Sequence, residues 1–148
     1  MWGNMFIGEY EHSIDNKKRI ALPKKFRELL GSEVVITRGL DGCLFIYPMD
    51  KWRKLAKKLS EMPMGDFGVR SFVRLILSGA AGVEIDSQGR ILIPDYLKKY
   101  AFLDKDVVIV GIFDRIEIWS RDKWSIYRDN AEKNSENIAQ NLNSIGLF

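Results

Sequence analysis

Apolar positions fall along this chain in two similar successions of short runs, separated by a stretch with helical spacing. The first succession predicts a short strand ending before Asp15, then a turn over Asp15 to Lys18. A near-continuous apolar strand follows from Arg19 to Leu22, and Pro23 stands where a helix would start. The amphipathic stretch Lys24 to Leu30 fits a one-turn helix, and a hairpin comes next: Glu33 to Thr37, a turn at Gly39-Leu40-Asp41-Gly42, then Cys43 to Tyr47. The second succession repeats this plan. A strand precedes Asp86, a turn covers Asp86 to Gly89, Arg90 to Ile93 is a strand, and Asp95 to Ala101 follows Pro94. Its hairpin runs from Val107 to Val110, turns at Gly111 to Arg115, and returns over Ile116 to Trp119. Alternation there points Ile116 and Ile118 inward, and Glu117 and Trp119 outward or to an edge.

Between the two, Asp50 to Leu59 predicts a helix with Trp52, Leu55, Ala56 and Leu59 on one face. Glu61-Met62-Pro63-Met64-Gly65 breaks it, and Asp66 caps a second helix running to about Ser78 with Phe72, Val73, Ile76 and Leu77 as its stripe. Arg70 and Arg74 fall on another face of that helix, where packing or ion pairing is their expected role. The tail from Asn130 is polar, and Ile138, Leu142 and Ile145 keep a helical spacing, so a peripheral helix or an irregular tail both fit.

The repeat is explicit in the residues. Asp15, Arg19 and Pro23 return as Asp86, Arg90 and Pro94, an offset of 71. Val35-Ile36 is then set against Val107-Val108, and Asp50-Lys51-Trp52 against Asp122-Lys123-Trp124, an offset of 72, with the slip in a loop. Each copy offers about four short strands and one short helix, too thin a core to stand alone, so the copies are expected to interlock. The fold class expected is α+β, mainly β: tandem swapped-hairpin units forming a small pseudo-two-fold barrel with peripheral helices. The boundaries read as 6–51 for the first unit, 52–79 for a helical connector, 80–123 for the second unit and 124–148 for the C-terminal helix or tail.

Composition narrows the chemistry. The 148 residues are 46% hydrophobic, with 23 Lys and Arg against 20 Asp and Glu and a formal charge of +3. That excess suits an anionic partner without requiring one. Cys43 and His12 are single, so neither an intramolecular disulfide nor a four-ligand zinc site from these alone can form, and no metal or other cofactor is expected. No apolar run reaches the roughly 20 residues that cross a bilayer, and the N-terminus has no charged segment followed by an apolar core. A reducing, cytoplasmic setting is expected. Cys43 heads an apolar strand and reads as core, His12 reads as a surface residue, and no phosphate-binding glycine loop occurs, so an enzyme is not expected.

The Asp-x-x-x-Arg units are the candidates for function. An aspartate opening a tight turn can accept backbone N–H groups two residues on and so fix the turn. The arginine four later leaves the turn at the strand base, where pairing with the aspartate holds its guanidinium for a phosphate or a guanine edge. The same pair could instead only staple the hairpin. Copy one carries the greater charge, with Lys17, Lys18 and Arg19 consecutive and Lys24, Lys25 and Arg27 after Pro23.

These residues resemble the MraZ family. The resemblance rests on Phe6-Ile7-Gly8-Glu9-Tyr10, Ile14-Asp15-x-x-x-Arg19-Ile20 to Pro23, and Arg70-x-Phe72-x-Arg74 leading into Ser78-Gly79-Ala80. It continues through Asp86-x-x-Gly89-Arg90-Ile91 to Pro94 and Glu117-Ile118-Trp119, from about Met5 to Trp124. The resemblance implies SpoVT/AbrB-like domains and a sequence-specific, DNA-binding transcriptional regulator. It implies a repressor of its own promoter and of the division and cell-wall gene cluster. It further implies a homo-oligomeric ring on short direct repeats in double-stranded DNA, nucleoid-associated, with no membrane or small-molecule partner. Asp15, Arg19, Asp86 and Arg90 match the family's motif at the DNA-facing surface, and Lys17 and Lys18 add charge beside it. Where the family often has glycine this chain has Lys18, which implies a different turn or Asn16 taking the strained position. The family usually starts at the residue matching Met5, so Met1 to Asn4 are left out of the fold reasoning. The rival readings are an antitoxin-like protein-binding module and a structural swapped-hairpin oligomer.

Overall fold

The strands of each repeat pair mostly with the other repeat. A computed structural model describes residues 5–147; the stretch Met1 to Asn4 set aside above lies outside the described residues. In chain order the elements are β1 Phe6–Ser13, β2 Arg19–Ala21, α1 Lys24–Leu30, β3 Glu33–Arg38, β4 Leu44–Pro48, α2 Met49–Ser60 and α3 Phe67–Gly79. Then come β5 Ala81–Glu84, β6 Arg90–Leu92, α4 Asp95–Tyr100, β7 Asp106–Phe113, β8 Arg115–Ser120, α5 Arg121–Lys133 and α6 Ser135–Asn143. Six strands form one antiparallel sheet in the order β1-β7-β8-β4-β3-β5, and β2 pairs with β6 as a separate ribbon. Exchanging the repeats reverses this order onto itself, so a pseudo-two-fold axis relates the copies. The axis passes where Ile20 faces Ile91 and where Phe45 faces Glu117. The first strand of each copy lies against the second hairpin of the other, β1 on β7 and β5 on β3. This is the expected interlocking, and it solves the thin-core problem by giving both copies one shared interior.

The axis also corrects the internal alignment. Glu33 faces Glu84 and, related by the axis, Asp106 faces Ser13. The first strands are therefore offset by 71 (84 − 13), but the third strands by 73 (106 − 33). Val34 and Ile36 match Val107 and Ile109, all wholly buried, so the alignment at 72 there was one residue out of register. β4 and β8 do keep 72 (117 − 45). The α+β class and tandem plan hold, but the barrel does not close through strand ladders, because β1 and β5 remain edges of an open sheet.

Both faces of the sheet are covered, which explains why β3 and β4 read as nearly continuous apolar runs. One face, with Val34, Ile36, Leu44, Ile46, Val107, Ile109, Ile116 and Ile118, packs under the ribbon residues Ile20 and Ile91 and under Phe26 and Leu97 of α1 and α4. The other face places Cys43, Phe45, Tyr47, Val108, Val110 and Trp119 against Trp52 and Leu55 of α2 and Trp124 of α5. Glu117 and Trp119 thus belong to the second core layer, not to an outer edge as the alternation suggested. Glu117 is satisfied there: its Oε2 accepts from Arg115 Nη2 at 3.0 Å and its Oε1 from Trp119 Nε1 at 3.0 Å. Cys43 is buried as expected, and burial pushes its thiol well above the usual range.

The turns follow their residues. Asp41 and Gly42 both have positive φ, 61° and 81°, the geometry of a tight primed hairpin turn. β7 and β8 extend further than alternation indicated and turn at Phe113 and Asp114. Asp66 caps α3 as predicted, its Oδ2 accepting from Val69 N at 2.9 Å. At the other end of α3 the free carbonyls find partners: Thr37 Oγ1 donates to Ile76 O at 2.6 Å, Arg38 Nη1 to Leu75 O at 2.9 Å and Tyr96 hydroxyl to Gly79 O at 2.8 Å. The polar tail is helical through α5 and α6, with Ile126, Ile138 and Ile145 exposed. No helix among the described residues is long and apolar enough to cross a membrane.

Candidate nucleic-acid interface

The two Asp turns are near copies of each other. Asp15 Oδ1 accepts from Lys17 N and Arg19 N, both at 2.9 Å, and its Oδ2 accepts from Arg19 Nε at 3.0 Å. Asp86 repeats the set: Oδ1 takes Gln88 N and Arg90 N at 2.9 Å each, and Oδ2 takes Arg90 Nε at 2.9 Å. Each carboxylate thus closes its turn and grips the side chain of the arginine that leaves it. The bond from the arginine's backbone N–H is the largest cause holding Asp15 and Asp86 below the ordinary carboxylate range. Each guanidinium is engaged through Nε, so its Nη donors remain for a ligand.

The turn residue with positive φ is Lys18 at 63° in copy one and Gly89 at 76° in copy two. Lys18 therefore takes the left-handed position itself; the turn is not altered, and Asn16 does not take its place. The reason is the pairing just described, which fixes the turn by three hydrogen bonds whatever residue fills that position. Each of these residues then offers its carbonyl to the other copy: Lys18 O accepts from Ile93 N and Gly89 O from Leu22 N, both at 2.9 Å. The side chain of Lys18 turns to α4, where its Nζ lies 2.8 Å from Asp95 Oδ1. That contact draws the Asp95 carboxyl below its ordinary range.

The ribbon brings the two arginines to one surface. Ile20 and Ile91 point into the core, so Arg19, Ala21, Arg90 and Leu92 line the opposite, outer face. Arg19 stands across from Leu92 and Arg90 across from Ala21, which makes the arginines diagonal neighbours, within reach of one another's long side chains. All six predicted site residues, Asp15, Lys17, Lys18, Arg19, Asp86 and Arg90, lie in the two turns and this ribbon. Arg70 and Arg74 do not join them; Arg70 Nη1 instead donates to Met64 O at 3.1 Å and Gly65 O at 3.0 Å, closing the loop before α3.

The sequence leaves Leu92 of this surface unmarked and sets Arg27 with the other copy. Leu92 is 53% exposed beside Arg19, hidden in the sequence by its apolar neighbours. Arg27, counted with the copy-one bases, lies against Gly89 of the copy-two turn. The signal available for Arg27 was the glycine itself, which copy two has and copy one lacks. Among the described residues no group of His, Cys, Asp and Glu is arranged to hold a metal ion.

The chain matches the sequence model of the family described as "MraZ protein, putative antitoxin-like" twice, over residues 5–74 and 76–144. It is 50% identical over 143 residues to the protein of Syntrophomonas wolfei named "Transcriptional regulator MraZ", covering 97% of this chain and 100% of that protein. The proteins of the same name from Clostridium tetani and Halothermothrix orenii are each 51% identical over 143 residues, with the same coverage of both chains.

Proposed function

The chain belongs to the MraZ family, and from that premise we propose that it is a sequence-specific DNA-binding transcriptional regulator whose β2–β6 ribbon faces the duplex. The observation that carries this is the pair of aspartate-held arginines, Arg19 and Arg90, displayed together on the outer face of the ribbon. A two-stranded ribbon fits the major groove, and a guanidinium fork held at that surface matches the O6 and N7 acceptors of guanine. Arg19 and Arg90 supply base readout, with Asp15 and Asp86 orienting them. Lys17, which has no carboxylate partner among the described residues, supplies phosphate contact. Lys18 joins it by exchanging Asp95 for a phosphate.

One ribbon neutralises few phosphates, so a single subunit binds weakly. Several subunits in a homo-oligomeric ring, each on one of a series of short repeated boxes, gain affinity through effective concentration. Occupying its own promoter and that of the division and cell-wall cluster makes the protein a repressor. Regulators so named in this family are not enzymes, and no catalytic role is assigned to any residue here. The family description also favours a second reading, an antitoxin-like module that binds a protein. The test is a pair of substitutions read by fluorescence anisotropy with labelled DNA from upstream of the gene. Arg19→Ala lowers both affinity and discrimination against a shuffled duplex, whereas Lys17→Ala lowers affinity for both duplexes alike. Wild-type binding by Arg19→Ala would overturn the assignment.

A further inference from the structure

Arg27 stands in α1 of the first copy, yet its guanidinium is seated on the turn of the second. Its Nε donates to Leu22 O at 2.8 Å, which fixes the plane of the group. A Cβ added at Gly89 would collide with Arg27 Nε, Cζ and Cδ, so the side chain crosses directly over the residue that precedes Arg90. Gly89 is buried although the residues before it, Asp86 to Gln88, are exposed, and the three atoms nearest its missing Cβ all belong to Arg27. Among the described residues Arg27 has no carboxylate partner; Nε is the one side-chain atom of Arg27 that makes a hydrogen bond, and the Nη groups are not enclosed. A guanidinium anchored through Nε, with four N–H donors unfilled, is an anion-binding group.

The first turn is built differently. Lys18 has a side chain where Gly89 has none, and that side chain is tied to Asp95 of α4. The position matching Arg27 carries Lys98, which has no guanidinium to lay over a turn. Charge read along the sequence counts Arg27 with the bases of the first copy and gives the second Arg90 and Lys98. Charge read in space moves one cation across the pseudo-two-fold axis, so the second turn carries Arg27 with Arg90.

We propose that Arg27 is a DNA-phosphate contact belonging to the Asp86–Arg90 turn, so that the second half of the interface is assembled from both repeats. Each half of the surface then has an arginine for bases and a separate cation for the backbone: Arg19 with Lys17, and Arg90 with Arg27. Gly89 is glycine at this position for two reasons, its positive φ and the space that Arg27 fills. This inference rests on the regulator reading and deepens it.

The experiment uses the full chain and a labelled duplex from upstream of its gene, titrated across a salt series by anisotropy. Arg27→Ala should weaken binding about tenfold. It should also make the slope of log affinity against log salt shallower by about 0.9, the loss of one phosphate contact. Arg27→Lys should keep the wild-type slope. In double-mutant cycles, Arg27→Ala and Arg90→Ala should depart from additivity by threefold or more, while Arg27→Ala and Arg19→Ala should be additive within about twofold. Lys and Ala variants that lose affinity equally with an unchanged slope would show Arg27 to be only a buttress of the turn, and would overturn the proposal. If the alanine variant does not fold, the lysine and glutamine variants carry the same comparison, with the slope retained only by lysine. Wild-type protein that binds no duplex overturns the regulator reading and this inference together. Wild-type protein that binds as well as Arg27→Ala, with one slope, overturns this inference alone.

Discussion

Replacing Gly89 by alanine should destabilise the chain by about 1–4 kcal/mol, while replacing Lys18 by glycine at the matching position should change stability by less than about 1 kcal/mol. The two residues occupy the same left-handed position in turns with the same hydrogen bonds, so the contrast isolates their surroundings. A side chain at positive φ costs about 1–2 kcal/mol, and alanine recovers about 0.4–1 kcal/mol by stiffening the unfolded chain. At position 89 the new methyl must also push the Arg27 guanidinium off Leu22 O, a lost charged hydrogen bond of about 1–3 kcal/mol. At position 18 the strain relieved by glycine is offset by greater unfolded-state freedom and by loss of the Lys18–Asp95 contact. That contact is 50% and 64% exposed, so it contributes at most about 1 kcal/mol. Urea unfolding at fixed protein concentration measures both variants. The double variant Gly89→Ala with Arg27→Ala should be less destabilised than the two single changes summed, by at least about 1 kcal/mol. A Gly89→Ala protein within about 1 kcal/mol of wild type, or strict additivity with Arg27→Ala, would refute the packing argument.

Thr37→Val keeps the volume but leaves the buried Ile76 carbonyl without its donor, and should cost about 1–3 kcal/mol in the same unfolding assay. The paired carboxylates set an acid limit. Because Asp15 and Asp86 have folded values below their unfolded ones, their contribution is complete above the unfolded value and lost as pH falls through the folded one. The two turns, followed by NMR of the Lys17 and Gln88 amides, should therefore hold to about pH 4 and open below it. His12 acts in the opposite sense to a partnered histidine. Burial, with Arg27 nearby, lowers its value, so the unfolded chain takes up a proton first and stability declines as pH falls below about 6.5. His12→Gln should flatten the denaturation profile between pH 7 and 5, and an unchanged slope would count against that burial.

Much of the fold could be read from residue pattern because the repeat states each element twice. The Asp turns, the prolines ahead of α1 and α4 and the Asp66 cap are local devices, set by residues within a few positions of one another. What could not be read was which copy each element would serve. The exchange of β1 and β5 depends on contacts across the whole chain, and alternation gives a strand's period without naming its covering layers. Glu117 and Trp119 were therefore placed outward, since the second apolar layer comes from α2 and α5. The register of β3 against β7 failed for a related reason, as loops absorb single-residue slips that buried faces do not. At the site, the bonds between Asp15 and Arg19 and between Asp86 and Arg90 followed from spacing. The seating of Arg27 on Gly89 needed the axis.

The most direct test of the central claim is anisotropy of a labelled duplex from immediately upstream of the gene, set against a shuffled duplex of equal length across a salt series. The account predicts tight binding to the native duplex alone, with log affinity falling by about 0.9 per contacted phosphate for each decade of salt. Equal, weak binding to both duplexes would contradict it, leaving an assembly with a basic surface and no operator.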